Sequence, residues 1–164
     1  MGVTTNPLLT GLPSGDSIEI LDRGTGLSHT GDTNEATLGT ALISGDVPNV
    51  GDEIWVLASY KIDDGAGGAP AGTMTSRVEF DTVSGCSVST ISRGIYVMKP
   101  FTVENSTMLS SIGVSYYRPE KASSWVELTV DISAGFTIDF TVQLTNAADT
   151  AYLLRYSVLL IKAS

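Results

Sequence analysis

The side chains most often used in catalysis are scarce in this sequence and lie far apart. The chain has one histidine, His29, and one cysteine, Cys86. A Ser-His-Asp triad would have to use His29, yet no Gly-x-Ser-x-Gly nucleophile motif accompanies it. A zinc site usually takes several His or Cys ligands. We therefore expect neither triad catalysis nor zinc binding.

Cys86 is expected to be a small buried residue rather than a reactive thiol. A reactive thiol needs basic neighbours or a helix N-terminus to lower its pKa. The segment 83–88, Val-Ser-Gly-Cys-Ser-Val, offers neither. Because the chain has a single cysteine, no disulfide can form within it.

Two carboxylates could serve a glycosidase if the fold brought them together. Glu127 and Asp139 occupy outward positions of the alternating runs 126–132 and 136–144. The short linker 133–135 predicts that these runs form a β-hairpin, which would make the two acids diagonal neighbours. Outward strand positions are also where acids are hydrated, and this interpretation is favoured.

Asp63 and Asp64 open a glycine-rich loop, residues 63–72, and are candidate Ca²⁺ ligands. The D-x-[DN]-x-[DN]-G spacing of a calcium loop is missing. The same loop is not followed by a predicted helix, so it is not a phosphate-binding loop. No catalytic, cofactor-binding or metal-binding residue is predicted, and the protein is not expected to be an enzyme.

The elements that would position any site are strands. Residues 136–144 are apolar at every even position and polar at every odd one, which indicates a strand with one buried face. Residues 53–62 alternate in the same way. Residues 151–162 carry apolar side chains on both faces near their end, so this strand is expected to be central or buried in a subunit contact. Its first face is predicted to comprise Tyr152, Leu154, Tyr156, Val158 and Leu160.

About eight strands are predicted, with turn residues between them and almost no helical periodicity. The predicted fold is all-β, an antiparallel jelly roll or β-sandwich spanning residues 36–164. Residues 1–35 contain prolines, glycines and scattered polar residues, and they are predicted to form an extended N-terminal arm. A free tail would be less apolar, so the arm is expected to make capsid or subunit contacts. The contact residues are predicted to be Leu8, Leu9, Leu12, Ile18, Ile20 and Leu21.

The charge balance excludes some partners. The net charge is −9, and nine Lys and Arg residues among 164 form no basic patch, so nucleic acid is not an expected partner. No apolar stretch is long enough to span a membrane, and no secretory signal is visible, so synthesis in the host cytoplasm is expected. Only 16% of residues are charged, against about 25% in typical domains, which leaves much neutral surface for an interface.

Several segments in order resemble a jelly-roll module of bacteriophage virion proteins, which include tail fibres, spikes and head decoration proteins. The resemblance begins at Ala36 and runs to the C-terminus. It rests on Thr37–Ile43, the Val-Gly-Asp-x-Ile opening of the second strand at Val50–Ile54, Arg77–Phe80, Trp125–Val130, Phe136–Ala148 and Val158–Ile161. The family implies a homo-oligomer, commonly a trimer, with a structural or attachment role and no catalytic residues.

Two functions follow from the resemblance. The first is a capsid decoration (cement) protein, a homotrimer on the virion surface that contacts the major capsid protein. The second is a tail fibre or receptor-binding tip that recognises a host surface glycan. For the second, the exposed aromatic candidates are Trp55, Tyr116 and Tyr117. A small glycosidase or lyase is the least favoured alternative, because its reagents are missing.

Overall fold

A computed structural model describes residues 17–45, 47–90, 94–111 and 126–163. Within these residues the regular structure consists of eleven β-strands, without a helix. The all-β prediction is confirmed, although eleven strands take the place of about eight. The strands are β1 (Ser17–Gly24), β2 (Ser28–Thr30), β3 (Glu35–Ile43), β4 (Glu53–Asp63), β5 (Met74–Phe80), β6 (Val83–Thr90), β7 (Gly94–Asn105), β8 (Met108–Ser111), β9 (Val126–Thr129), β10 (Phe136–Leu144) and β11 (Thr150–Lys162).

The strands form two antiparallel sheets packed as a β-sandwich. The larger sheet has the order β1-β11-β4-β7-β8-β9, and β2 also pairs with β11. The smaller sheet has the order β3-β10-β5-β6. Apolar side chains from both sheets meet in one core. For example, the centre of the Phe80 ring in the smaller sheet lies 4.6 Å from the centre of the Phe101 ring in the larger sheet.

The strand pairing is nested. β1 pairs with β11, β3 with β10, β4 with β7 and β5 with β6. The first and last strands are therefore partners, and successive pairs alternate between the two sheets. This is the double Greek-key winding of a jelly roll, to which β8 and β9 add width on the larger sheet.

The alternation seen in the sequence places side chains correctly on most strands. On β4, Ile54, Val56 and Ile62 are completely buried, and on β10 Ile138 and Phe140 are as well. The pleat of a strand sends successive side chains to opposite faces, so one face of each strand enters the core. The predicted inward faces of segments 53–62 and 136–144 are confirmed.

β11 breaks the predicted alternation. Its register against β4 shifts between Leu153 and Arg155, which makes a β-bulge at Leu154. Leu153 points into the core before the bulge and Val158 does so after it, whereas Leu154 is 48% exposed. The prediction that Leu154 shares a face with Val158 is wrong, because one extra residue reverses the faces. β11 lies between β1 and β4, the central position that was predicted.

The predicted hairpin of 126–132 and 136–144 is wrong. β9 belongs to the larger sheet and β10 to the smaller one, so the chain crosses between the sheets here. The amides of Val130 and Ile132 donate to the carbonyls of Thr107 and Ser106, which continues the pairing with the β8 side. Both side chains are buried, and they draw the connection across the core.

The predicted arm contains two strands of the sandwich. β1 and β2 pair with β11, so residues 17–30 belong to the larger sheet rather than to a separate arm. Without them β11 would be an edge strand with unpaired backbone groups, which explains the difference. Leu21 packs against the core, while Ile18 and Ile20 are exposed on β1. Leu8, Leu9 and Leu12 lie outside the described residues.

The β5–β6 hairpin has an unusual turn. Its two linking residues, Asp81 and Thr82, both have positive φ, 46° and 74°. Two such residues define a type I′ turn, which matches the twist of the flanking strands. Positive φ is unfavourable for a β-branched residue such as Thr82, so the turn is held by its surroundings. Asp81 supplies one tie, since its carboxylate accepts a hydrogen bond of 2.8 Å from the amide of Thr137.

Candidate functional site

The carboxylates considered for glycosidase chemistry are not brought together. Glu127 lies on β9 of the larger sheet, opposite Ser110. Asp139 lies on β10 of the smaller sheet, opposite Glu79. A pair of acids flanking a glycosidic bond is therefore not formed by Glu127 and Asp139. Asp139 accepts a hydrogen bond of 2.5 Å from the hydroxyl of Thr40.

The histidine and the cysteine occupy unrelated places. His29 lies on β2, and its Nε2 is 3.4 Å from a carboxylate oxygen of Asp32. Cys86 lies on β6 and is buried in the core. Burial raises the pKa of its thiol to about 11, so the thiol stays protonated at neutral pH. The prediction that Cys86 is buried is confirmed.

The carboxylates at the glycine-rich loop bind the backbone of the loop itself. Asp64 accepts hydrogen bonds from the amides of Ala66 and Gly68. Asp149, which is 1% exposed, accepts from the amides of Ala71 and Gly72 at 2.9 and 2.7 Å. These carboxylates therefore shape the β4–β5 connection. In the described part of the chain, no group of three or more Asp, Glu, His or Cys side chains is arranged to hold a metal ion.

Lys99 is a buried ionisable residue that the sequence analysis does not single out. It is 2% exposed on the inward face of β7, and its Nζ donates to the carbonyl of Gly85 at 3.0 Å. Burial lowers the pKa of its ammonium group. Because the amine lies between the two sheets, it does not face a substrate in solvent. The alternation Ile95-x-Val97-x-Lys99-x-Phe101 is the signal that places Lys99 inward.

The outer face of the smaller sheet is polar and internally paired. Arg77 forms an ion pair with Glu35 at 2.6 Å and donates to the side chain of Gln143 at 3.2 Å. Burial raises the pKa of Glu35, but hydrogen bonds from Thr141 and Arg77 outweigh this effect and leave that pKa lowered. Rows of Thr, Ser, Glu and Arg side chains of this kind are typical of a sheet face in water.

The outer face of the larger sheet is different. Four adjacent strands, β1, β11, β4 and β7, present apolar side chains in register across it. One row joins Ile20, Leu159, Trp55 and Pro100. We call the set the outer apolar face, and it comprises Ile18, Ile20, Trp55, Leu57, Met98, Pro100, Leu159 and Ile161.

The outer apolar face is accessible at its β1 side and bordered by polar groups at both ends. Ile20 is 55% exposed, and the remaining strands present half-buried side chains. At one end, the indole Nε1 of Trp55 donates to Glu53 at 2.8 Å. At the other end, Arg155 donates to the hydroxyl of Tyr96 at 2.5 Å, and this contact lowers the pKa of the phenol. An apolar face with a polar border is the usual form of a protein contact surface.

The alternation of apolar and polar residues in the sequence predicts part of this face. Trp55, Leu57, Leu159 and Ile161 are outward in the alternation of their segments, as is Ile20 once β1 is recognised as a strand. The contribution of β7 is missed, although Met98 and Pro100 alternate with buried residues. Of the aromatic residues proposed for glycan binding, Trp55 is on this face, and Tyr116 and Tyr117 lie outside the described residues.

A shallow depression of about 400 Å³ lies at the end of β3 and β10, beside Leu42, Asp81 and Gly135. Leu42 is 75% exposed at its rim. The carboxylate of Asp81 is engaged by Thr137, so the depression presents no free pair of catalytic groups among its described lining residues.

No known family model matches this sequence, and no curated protein matches it either. Within the described residues, no helix is long and apolar enough to cross a membrane.

Proposed function

We propose that this protein is a structural protein of a bacteriophage virion, and that it binds the outside of the capsid as a decoration (cement) protein. It acts there as a homo-oligomer, and the family resemblance implies a trimer. Its partners are the major capsid protein and further copies of itself, and neither nucleic acid nor a membrane is among them. It works by contact and not by catalysis.

The observation that carries the proposal is the outer apolar face. A soluble domain rarely leaves a contiguous row such as Ile20, Leu159, Trp55 and Pro100 facing water unless a partner covers it. The nested strand pairing adds support, since the sequence resemblance is to virion proteins with a jelly roll. The net charge of −9 suits a location outside a shell that encloses DNA.

The direct test measures binding to capsids of the virus that encodes the protein. Purified chain is mixed with capsids that lack it, and the bound fraction is measured by co-sedimentation. We expect saturable binding that is weakened when Leu159, on the outer apolar face, is replaced by threonine. Leu42→Thr is the matched control, because Leu42 is exposed on the other sheet. Absence of the chain from purified virions, measured by mass spectrometry, would refute the proposal.

A second candidate function is a glycan-binding tip of a tail fibre. It is favoured by one specific observation, namely that Trp55 and Tyr96 lie on the same side of the larger sheet with Glu53 and Arg155 beside them. Aromatic rings with neighbouring charged groups are typical of carbohydrate sites. A panel of host surface glycans, tested with the wild type and Trp55→Ala, distinguishes this function from capsid binding. Binding that is lost in Trp55→Ala and kept in Leu42→Ala would favour it.

A further inference from the structure

The composition of the outer apolar face restricts what can cover it. From Ile20 to Pro100 the middle row across four strands contains no ionisable side chain, and the rows on either side of it contain one each, Glu53 and Arg23. Glu53 stands at one end of the face, and its carboxylate is engaged by the indole of Trp55. An occupant of this face must therefore offer mainly apolar surface, because a charged partner group would be dehydrated there without an opposite charge.

The distribution of carboxylates distinguishes the outer apolar face from the other surfaces of the protein. Each copy carries a net charge of −9, so two copies repel each other wherever their carboxylates meet. Many of the described carboxylates lie elsewhere, either on the outer face of the smaller sheet or in loops. These include Glu35, Glu79, Asp139, Asp64, Asp81, Asp131 and Asp149. Contact between copies through the outer apolar face keeps these groups apart while it buries apolar area.

We propose that the outer apolar face is the surface through which this chain associates with a second copy of itself. The contact is an apolar packing of sheet upon sheet, in which Ile20, Leu57 and Leu159 lose water to the same residues or their neighbours on the second copy. The inference deepens the proposed function and rests on its claim that this face is an assembly surface. It assigns the face to self-association, so Leu159→Thr weakens capsid binding by reducing the number of copies that bind together.

The size of the face sets the strength of the contact. Four strands spaced about 4.8 Å apart, with about six residues of each involved, cover roughly 400 Å² in projection. A standard interface buries about 800 Å² on each partner. The face alone is therefore about half of a standard interface, and we expect dissociation in the micromolar range.

Sedimentation equilibrium of the full chain tests the inference. The protein is studied from about 1 µM to about 200 µM, a range that brackets the expected dissociation constant. We expect concentration-dependent association that strengthens with added NaCl, because salt screens the repulsion between acidic copies and leaves apolar contact intact. Ile20→Thr and Leu159→Thr should each weaken it about tenfold, the effect of losing one well-packed apolar side chain. Threonine is chosen because it suits a strand.

Leu42→Thr is the matched control and should leave the association unchanged, since Leu42 is 75% exposed on the smaller sheet. Circular dichroism and thermal melting show whether each variant is folded. A wild type that stays monomeric throughout the range overturns the inference, as does association that the two face variants do not weaken. A monomer that binds capsids and loses this binding in Leu159→Thr would overturn self-association while supporting the proposed function, so the two failures are distinguishable.

Discussion

Replacement of Lys99 by methionine is expected to stabilise the fold, although it removes a hydrogen bond. The Lys99 side chain is 2% exposed, and its Nζ donates to the Gly85 carbonyl at 3.0 Å and lies 5.5 Å from the centre of the Phe101 ring. Methionine is similar in length, carries no charge and adapts well to irregular core space. The variant therefore keeps most of the packing and removes the buried ammonium group.

The magnitude follows from opposing terms. Burial of an ammonium group costs several kcal/mol even after the protein relaxes. A hydrogen bond from a charged donor returns about 1.5–3 kcal/mol, and a cation–π contact returns about 1 kcal/mol. The contacts of Lys99 thus leave part of the burial cost uncompensated. We expect Lys99→Met to raise the free energy of unfolding by about 1–2 kcal/mol at pH 7.

The pH dependence gives an independent check. Burial lowers the pKa of Lys99 in the folded state, so over the interval between this pKa and the unfolded value of about 10.4 the unfolded state binds more protons. The free energy of unfolding of the wild type therefore gains a positive contribution as pH rises through this interval. Lys99→Met lacks this contribution, so its advantage over the wild type should shrink towards pH 10.

The assay is urea denaturation followed by tryptophan fluorescence, with wild type and variant compared at pH 7 and at about pH 10. Lys162→Met is the control, because Lys162 is 42% exposed beside Glu19 and its loss should change stability by less than about 0.5 kcal/mol. The reasoning is refuted if Lys99→Met destabilises the protein at pH 7, or if its effect is the same at both pH values. Either result would mean that Lys99 is fully compensated in the core.

Three further predictions concern the polar groups and the turns. Burial and the repulsion of neighbouring carboxylates raise the pKa of Glu79, so the free energy of unfolding falls as pH rises through that pKa. In urea titrations, Glu79→Gln should therefore add about 0.5 kcal/mol to this free energy at pH 7 and nothing at about pH 3. Asp149→Ala leaves the amides of Ala71 and Gly72 without their acceptor and should lower the free energy of unfolding by about 2–3 kcal/mol. Asp149→Asn keeps one acceptor oxygen and should lower it less. Hydrogen exchange of these two amides measures the loss of their hydrogen bonds directly. Thr82→Gly removes the β-branched side chain from a residue with φ of 74°, so it should raise the free energy of unfolding by about 1 kcal/mol. Thermal melting should then show a higher midpoint, and a lower midpoint would contradict the turn geometry.

The strands could be predicted from sequence, but their partners could not. Alternation places Ile138 and Phe140 inward because the pleat acts locally, within β10 itself. The partner of β10 is decided by the whole core. Val130 and Ile132 draw the preceding segment across the core, and a three-residue linker in the sequence looks the same whether it closes a hairpin or joins two sheets. The predicted proximity of Glu127 and Asp139 was wrong for this reason.

The alternation of apolar and polar residues also could not predict where a strand has a β-bulge. Leu153 and Leu154 are both apolar, so the sequence does not reveal which one enters the core and where the bulge reverses the faces. The candidate site was half predictable for a related reason. The outward apolar side chains of Trp55 and Leu159 were visible in their own segments, but their alignment in one row with Ile20 depends on the strand order of the folded sheet.

The central position of β11 has a consequence for how the chain is made. Because β11 stands between β1 and β4, the ribosome must release the chain as far as Lys162 before the larger sheet can close. Until then, β1 lacks its partner strand and one edge of β4 is unpaired. The nascent protein therefore exposes unpaired backbone N–H and C=O groups that can pair with other chains. Contacts between such distant segments also make folding slow, on the order of milliseconds to seconds. A shortened product that lacks residues 150–162 would therefore lose the middle of a sheet rather than a tail, and it should aggregate or be degraded.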